Sequence, residues 1–556
     1  MSAKFVDETG FFFFAKKDRK WYTVWYSKKG KMCMYDLGDY TPQTADEQTA
    51  FAMLDNCPLS RLGAVHITVS AMVADAKAQR VLMIHHNIYH TWSLPGGHVD
   101  GDADLLSVCR REIAEETGLH DAYAVGGALS VDLLPVPEHS RHGNPVAAHT
   151  HCNVTFGFFA PEGCALTGKE DENSGVAWVD VQELDGRSGE AHMLPIYHRC
   201  LRRLQTRMKA MRGQLPAIAV PLVEWFGRHA RVLPWREDAS PYRVWVSEIM
   251  LQQTRVEAVK PYFERFLAAF PDVAHLAAAS DDQLNKMWEG LGYYSRVRNM
   301  GRAARVIAEQ YDGRFPAAYA DVLALPGIGA YTAGAICSIS YGQPTPAVDG
   351  NVLRVWARIT ESREDVLKQQ TKNRVTDQLR EVYPAGQCGA FTQSLMELGA
   401  TVCVPNGAPK CDICPVAHVC RAFYNGTARG LPVKTPKKER RIEQRTVFVL
   451  LCGDRVAVRK RTEKGLLAGL WEFPNVLGEY SAETFNIPLH DWGVWAVDLK
   501  KSIGAKHIFT HVEWHMTGYF VECRNQPDAF VWVTKEEFAR DIALPSAFRA
   551  FFDAWE

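Results

Sequence analysis

Leu325-Pro-Gly-Ile-Gly329 leads straight into Ala330-Tyr-Thr-Ala-Gly-Ala-Ile336, a tight turn followed by an apolar helical run. Gly327 and Gly329 let the backbone turn sharply and approach a ligand, and the helix behind them offers free N–H groups to a phosphate. The same letters also suit a plain connection between two helices. Downstream, Ala347-Val-Asp-Gly-Asn-Val-Leu-Arg-Val355 sets Asp349 before Gly350 at the head of another helical run, where a simple N-cap would also stand. Apolar residues keep a helical period through most of 215–425, over 241–267, 282–288, 296–311, 329–340 and 352–359.

The chain has 14 cysteines, mostly scattered singly as buried small apolar residues are. Cys403, Cys411, Cys414 and Cys420 are gathered instead, with seven, two and five residues between them. In a reducing compartment such a group reads as metal or iron–sulfur ligation, not as disulfides. A 4Fe–4S cluster and a zinc ion both fit four thiolates.

On either side of the helical stretch the pattern changes. Residues 61–190 alternate strand-like runs (64–74, 81–85, 154–159, 177–179) with one strong helix, 104–117, which is an α/β pattern. Residues 446–556 return to strand-like alternation at 447–452, 456–459, 512–523 and 529–533, with a final helix. Residues 1–60 hold an aromatic strand-like piece at 21–26 and a helix near 46–54, with no chemical motif. A basic segment without any acid, 191–214, reads as a closing helix and linker, and a second basic, Pro-containing linker spans 426–445. At 556 residues the chain is too long for one core.

The net charge of −1 hides an asymmetry: 61–190 carry 8 Lys+Arg against 18 Asp+Glu, and 191–556 carry 47 against 38. The acidic part suits divalent cations and the basic part a polyanion, although solvated surface alone can produce such a split. No apolar run is long enough to span a membrane, and the four phenylalanines at 11–14 are too few for a signal peptide. The expected location is cytoplasmic.

Leu233-Pro-Trp-Arg236, Ser247-Glu-Ile-Met-Leu-Gln-Gln-Thr254 and Gly290-Leu-Gly-Tyr-Tyr-Ser-Arg296, together with the turn and the cysteines, resemble the MutY-type adenine branch of the helix–hairpin–helix DNA glycosylases. The resemblance covers nearly all of 215–425 and extends into the last domain. It implies a monofunctional glycosylase acting on adenine opposite 8-oxoguanine in double-stranded DNA. Adenine leaves its sugar once protonated at N7, so one carboxylic acid must donate a proton and one carboxylate must face the oxocarbenium ion. The resemblance assigns these roles to Glu248 and Asp349, with Tyr331 and Asn351 orienting them. Relatives that also nick DNA carry a Schiff-base lysine on the helix after the hairpin; Tyr331 lies there, and no lysine.

By the same resemblance Gln253, Thr254, Leu291 and Tyr293 wedge into the duplex and contact the opposite base, while Gly327 and Gly329 belong to the DNA-binding hairpin. The glycines around Leu291 point to an exposed loop, against the alternative of core packing for Leu291 and Tyr293. The four cysteines would hold a 4Fe–4S cluster, with one residue more in the first gap than the best-known family pattern. Gly465-Leu-Leu-Ala-Gly-Leu-Trp-Glu-Phe-Pro474 is similar to the family's C-terminal Nudix-like domain, whose contacts with 8-oxoguanine match Phe509, Thr510 and His511.

Gly96-Gly-His-Val-Asp-Gly101 followed by Arg111-Glu-Ile-Ala-Glu-Glu-Thr-Gly-Leu119 resembles the Nudix box, which holds Mg2+ or Mn2+ against a diphosphate. Glu112, Glu115 and Glu116 share one helix face, where a cation would relieve their repulsion. Gly97 belongs to the loop and Arg111 anchors a glutamate. Ala103 stands where the box has a glutamate, which weakens the case for turnover. The expected partner there is a nucleoside di- or triphosphate.

The fold expected is therefore multidomain: an N-terminal α/β Nudix domain, an all-α helix–hairpin–helix core with its cluster, and a C-terminal Nudix-like α+β domain, in a monomer. Two other readings stand beside it. One is a pyrimidine-specific glycosylase with lyase activity; the other is a DNA-binding scaffold whose one working enzyme is the Nudix domain.

Overall fold

The computed structural model describes residues 11–17, 20–26, 32–33, 35–61, 63–88, 90–141, 144–436, 439–461 and 465–555. The chain forms two compact units, Met1–Ala230 with Val348–Val433, and Arg231–Ala347 with Lys434–Glu556. The helical stretch 215–425 is thus divided between them.

The first unit is built on a seven-stranded sheet. Its main path runs Asn173–Asp180, Arg80–His86, Val65–Ala74, His149–Phe159, Tyr123–Val136, with short strands Thr91–Ser93 and Gly96–His98 attached. The central pair, Val65–Ala74 and His149–Phe159, is parallel. Strand alternation decides what each face does. Ile67, Val69, Ala71 and Val73, with Cys152, Val154, Phe156 and Phe158, bury against the helix Leu105–Thr117 through Val108, Cys109 and Ile113. On the opposite face His66, Thr68 and Ser70 pair with His151, Asn153 and Thr155, giving a polar half. The same face then turns apolar at Met72, Ala74 and Phe159, covered by Tyr197, Cys200, Leu201 and Leu204 of the helix Leu194–Met211.

That helix is the basic segment expected to end in a linker, and its arginines point into the unit. Arg203 donates to both carboxylate oxygens of the fully buried Glu47, Arg199 pairs with Asp132, and Arg207 donates to the Ala128 carbonyl. Glu47 also closes the capping box at Thr44 of the helix Ala45–Leu54. Residues 35–60 are therefore pinned to the front sheet. The apolar cluster under the sheet continues without a break through Leu222 and Trp225 of the helix Ala219–His229 into Val352, Trp356, Phe391 and Leu395. Those belong to Gly350–Thr360 and Cys388–Thr401, which carry the chain to the four cysteines.

In the second unit, helices Pro241–Leu251, Val256–Ala269, Ser295–Gln310 and Ala330–Tyr341 enclose Trp245, Phe263, Trp288 and Ile336. The period over 241–267 suggests one helix; the chain breaks at Gln252–Arg255, with Gln253 at φ +59°. The rear sheet repeats the front sheet's plan, Trp471–Glu472, Arg455–Lys460, Arg441–Cys452, Val512–Cys523, Ala496–Ile508, again with a parallel central pair. Strand Arg441–Cys452 sends Val447 and Val449 to one core and Phe448 and Leu450 to the other. Among the described residues, no helix is long and apolar enough to cross a membrane.

Burial works to raise the Glu47 carboxyl, but the hydrogen bonds from Arg203 and from the Gln43 amide prevail and hold it at about 2. A depressed folded-state value contributes stability that is present above the unfolded value near 4.5 and lost as pH falls towards about 2. Glu47→Gln is expected to destabilise the first unit by roughly 3–5 kcal/mol, since it strands a buried guanidinium. It should also flatten the dependence of thermal unfolding on pH across that window, read by calorimetry.

Candidate functional sites

The turn Leu325–Gly329 joins helix Tyr319–Ala324 to Ala330–Tyr341, completing a helix–hairpin–helix. Gly327 sits at φ +78°, and a Cβ there would lie 2.5 Å from that of Asn299, so the turn is closed to any larger residue. Gly329 caps the second helix in extended backbone. Gly334 lets this helix pass the chain behind it, since a Cβ would meet the Pro346 carbonyl oxygen at 2.2 Å. The consequence is a close pairing with Pro241–Leu251, where Tyr331 Oη donates to Glu248 Oε2 at 2.5 Å. Glu248 is buried, so its carboxyl is held in one position away from bulk water.

Asp349 caps Gly350–Thr360: Oδ1 accepts from Val352 N at 2.7 Å and Oδ2 from Asn351 Nδ2 at 2.7 Å. Burial pushes its carboxyl above the usual range, against the opposing hydrogen bonds. Asn351 is oriented in turn by Arg354, whose Nη2 donates to its Oδ1 at 2.8 Å and whose Nε donates to the Cys403 carbonyl at 2.8 Å. One turn on, Arg358 Nη1 donates to Cys403 Sγ at 3.2 Å and to the Val404 carbonyl at 3.0 Å. A single helix thus carries the capping carboxylate at one end and grips the cysteine loop along its length.

Among the four cysteines, burial and the neighbouring sulfurs push Cys411, Cys414 and Cys420 up, the last to about 12. Buried thiols that raise one another are costly as thiolates unless a metal centre draws off their charge, so the donor set fits one. The loop is bound to the front domain by backbone, Gly163 N to Asp412 O at 2.8 Å and Gly213 N to Val419 O at 2.7 Å. His418 stacks on Phe159 with ring centres 4.2 Å apart.

The residues expected to meet DNA are differently placed. Gln253 and Tyr293 are exposed, and both take positive φ, +59° and +47°, a strain that β-carbon-bearing residues keep only where the surroundings impose it. Thr254 is half-buried beside them. Leu291 corrects the expectation of an exposed loop: it is buried in the helical core, because Arg296 pulls its carbonyl inward. Arg296 was part of the quoted motif without a role; its guanidinium donates to the carbonyls of Ile249, Met250, Gln252, Leu291 and Gly292. Tyr293 Oη lies 2.9 Å from Thr510 Oγ1. Thr510 and His511 are exposed in a turn closed by Phe509 N to Val512 O at 2.8 Å, and Phe509 packs edge-on to Trp514.

The front sheet carries a cleft of about 1280 Å3 lined by Gly97, Arg111, Glu112, Glu115 and Glu116. Gly96 N donates to Glu116 Oε2 at 2.8 Å, and a Cβ on Gly97 would meet the Glu112 carboxylate at 2.4 Å. Burial pushes Glu116 to about 8, and burial with Glu115 raises Glu112. Arg111 reaches only Asp102 at 3.7 Å and Glu115 at 4.0 Å. Asp104 is occupied as the helix cap, accepting from Ser107 N, so it does not replace the glutamate absent at Ala103. Glu172 is a further carboxylate of the cleft that sequence reasoning missed, since it lies in a loop far from the helix; Lys169 bridges it to Glu115 at 3.0 and 3.9 Å. Carboxylates from the buried Glu116 to the exposed Glu115, with Glu116 raised to about 8, offer the oxygen donors that a hard divalent cation takes.

Residues 246–384 match the family described as HhH-GPD superfamily base excision DNA repair protein, and 64–200 and 446–554 each match a NUDIX domain. Fold and sites together define a helix–hairpin–helix base-excision-repair protein with a Nudix-type domain on either side. The chain is 33% identical over 400 residues to the adenine DNA glycosylase of Rattus norvegicus, covering 60% of this chain and 77% of that one. To the Homo sapiens adenine DNA glycosylase it is 33% identical over 409 residues, covering 61% and 74%. A solved thermostable thymine-DNA glycosylase aligns at TM-score 0.35 and 25% identity over 38% of this chain and 96% of its own. The chain belongs to the adenine DNA glycosylase family.

If the front carboxylates hold Mg2+, saturating magnesium stabilises the first unit; at a hundredfold excess over Kd the gain is about 2.7 kcal/mol. Differential scanning calorimetry should show that gain, and Glu116→Gln should remove most of it while leaving the second unit's transition in place.

Proposed function

We propose that this protein hydrolyses the N-glycosidic bond of adenine paired with 8-oxoguanine, leaving the strand intact. The observation that carries the reading is the buried Glu248 held by Tyr331 on the helix directly behind the hairpin. Glu248 donates its proton to adenine N7, the glycosidic bond breaks with its electron pair going to the base, and water adds at C1′ and gives up a proton. Asp349, whose oxygens the Val352 amide and Asn351 orient, is the carboxylate for the oxocarbenium ion. Tyr331 stands in the lyase-lysine position, so no Schiff base forms.

Gln253, Thr254 and Tyr293 take the space of the extruded adenine and contact the opposite strand, and Thr510 with Phe509 and His511 recognises 8-oxoguanine. The hydrogen bond between Tyr293 and Thr510 supports this, because it joins two loops assigned to one lesion by separate motifs. Cys403, Cys411, Cys414 and Cys420 hold a 4Fe–4S cluster that shapes the basic loop around Lys410 and Arg421 and does no chemistry on the base. The front domain binds a nucleoside di- or triphosphate through Mg2+ on Glu112, Glu115 and Glu116, with oxidised triphosphates such as 8-oxo-dGTP as the substrate class. The functional segments are 61–190, 215–425 and 446–556, the middle one contributing to both compact units.

Single-turnover release of adenine from a duplex with one A opposite 8-oxoguanine tests the reading, beside A opposite T. Glu248→Gln should lower the rate by at least ~100-fold with duplex affinity retained. Thr510→Ala should narrow the preference for 8-oxoguanine by roughly tenfold, the worth of one lost hydrogen bond, and leave release from an A:G mispair unchanged. Equal release by wild type and Glu248→Gln would sink the assignment.

A further inference from the structure

Five histidine rings meet at the floor of the front cleft, and neither the glutamates nor the proposed hydrolysis uses them. The sheet puts them there. His151 is the register partner of His66 across the parallel central pair, and His149, two residues earlier, turns to the same face. The rings of His66, His149 and His151 lie 4.9–5.1 Å apart, with His98 5.0 Å from His66 and His139 6.0 Å from His149.

Backbone carbonyls fix the tautomers of two of the three. His66 Nδ1 is 3.2 Å from the Gly63 carbonyl oxygen and His149 Nδ1 is 2.8 Å from that of Ala147. A carbonyl oxygen only accepts, so each Nδ1 carries the proton and each Nε2 presents a lone pair. His149 Nε2 then lies 3.1 Å from His151 Nε2, and the ligand atoms of all three residues fall within 4.8 Å of one another. Without a cation the lone pairs on His149 and His66 accept from neighbouring rings, His151 Nε2 and His98 Nε2, each at 3.1 Å; a metal ion among His66, His149 and His151 would take their lone pairs directly.

We propose that His66, His149 and His151 form a site for a divalent transition-metal ion of the zinc class, separate from the carboxylate site but in the same cleft. Three imidazoles with a fourth position left to an exchangeable ligand is a recurrent zinc arrangement. Nitrogen donors select zinc over magnesium, whereas the glutamate oxygens select the reverse. The carbonyls on Nδ1 are the outer contacts that orient metal-binding histidines. The fourth ligand is water or an oxygen of a phosphorylated molecule in the cleft, so the front domain carries two metal sites of different hardness. The proposal stands whether or not the glutamates support hydrolysis.

The test is zinc titration of the full chain with its iron centre loaded, followed by X-ray absorption at the zinc edge. One equivalent is expected, with a nitrogen shell near ~2.0–2.1 Å. His149→Ala, at a half-exposed position, and His151→Asn should each weaken zinc by more than about 100-fold with iron content unchanged. Glu116→Gln should keep zinc. A sulfur shell near ~2.3 Å would place the ion on the cysteines and overturn the proposal, as would wild-type zinc affinity in a correctly folded His149→Ala protein.

Discussion

A guanidinium buried among backbone carbonyls is the contact on which both halves of the molecule lean. Arg296 takes the carbonyls that end Pro241–Leu251 and those of the loop at 291–292, so the break after Glu248 and the Tyr293 loop are set by one side chain. Arg354 and Arg358 do the same for the cysteine loop, through the carbonyls of Gly399, Cys403 and Val404. Charged hydrogen bonds are worth about 1.5–3 kcal/mol each, and a helix C-terminus welcomes the cation. Carbonyl dipoles hold the charge without cancelling it as a carboxylate would.

The front and rear sheets make the opposite use of one plan. Both have the same strand order about a parallel central pair. In front, the connection after the short strands is the helix Leu105–Thr117 with its glutamates; in the rear, it is Asn486–Asp491, which has no such set. The rear domain has instead an exposed turn at Thr510, whose hydroxyl reaches the helical half through Tyr293. One scaffold thus presents a carboxylate-bearing helix in the front domain and an exposed polar turn in the rear one, by changing what the loops display.

Much of this was legible from residue letters where local physics decides. The hairpin needs its glycines, the capped helices announce themselves, and alternation marks the central strands. What escaped depended on partners distant in sequence. Strands Tyr123–Val136 and Ala496–Ile508 alternate weakly, the second because it is mostly exposed along its length. The arginines of Leu194–Met211 read as part of a closing helix and basic linker, and proved to be counter-ions for Glu47 and Asp132, 156 and 67 residues away. Leu291 looked exposed because its glycine neighbours carry no sign of Arg296 folding the loop inward. Glu172 and the histidine group became visible only when strand register brought them together.

The apolar cluster beneath the front sheet does not stop where the nucleotide-type domain would be expected to end. It runs from Leu204 through Trp225 to Phe391 and Val419, and backbone hydrogen bonds stitch the cysteine loop to Gly163 and Gly213. Two parts that look like a gene fusion joined by a tether have no seam between them. Cutting the chain there would expose two raw apolar faces, and disordering the cysteine loop would unsettle the front sheet as well. The front Nudix-type domain and the four-cysteine loop are therefore one folding unit, and damage to either is felt by both.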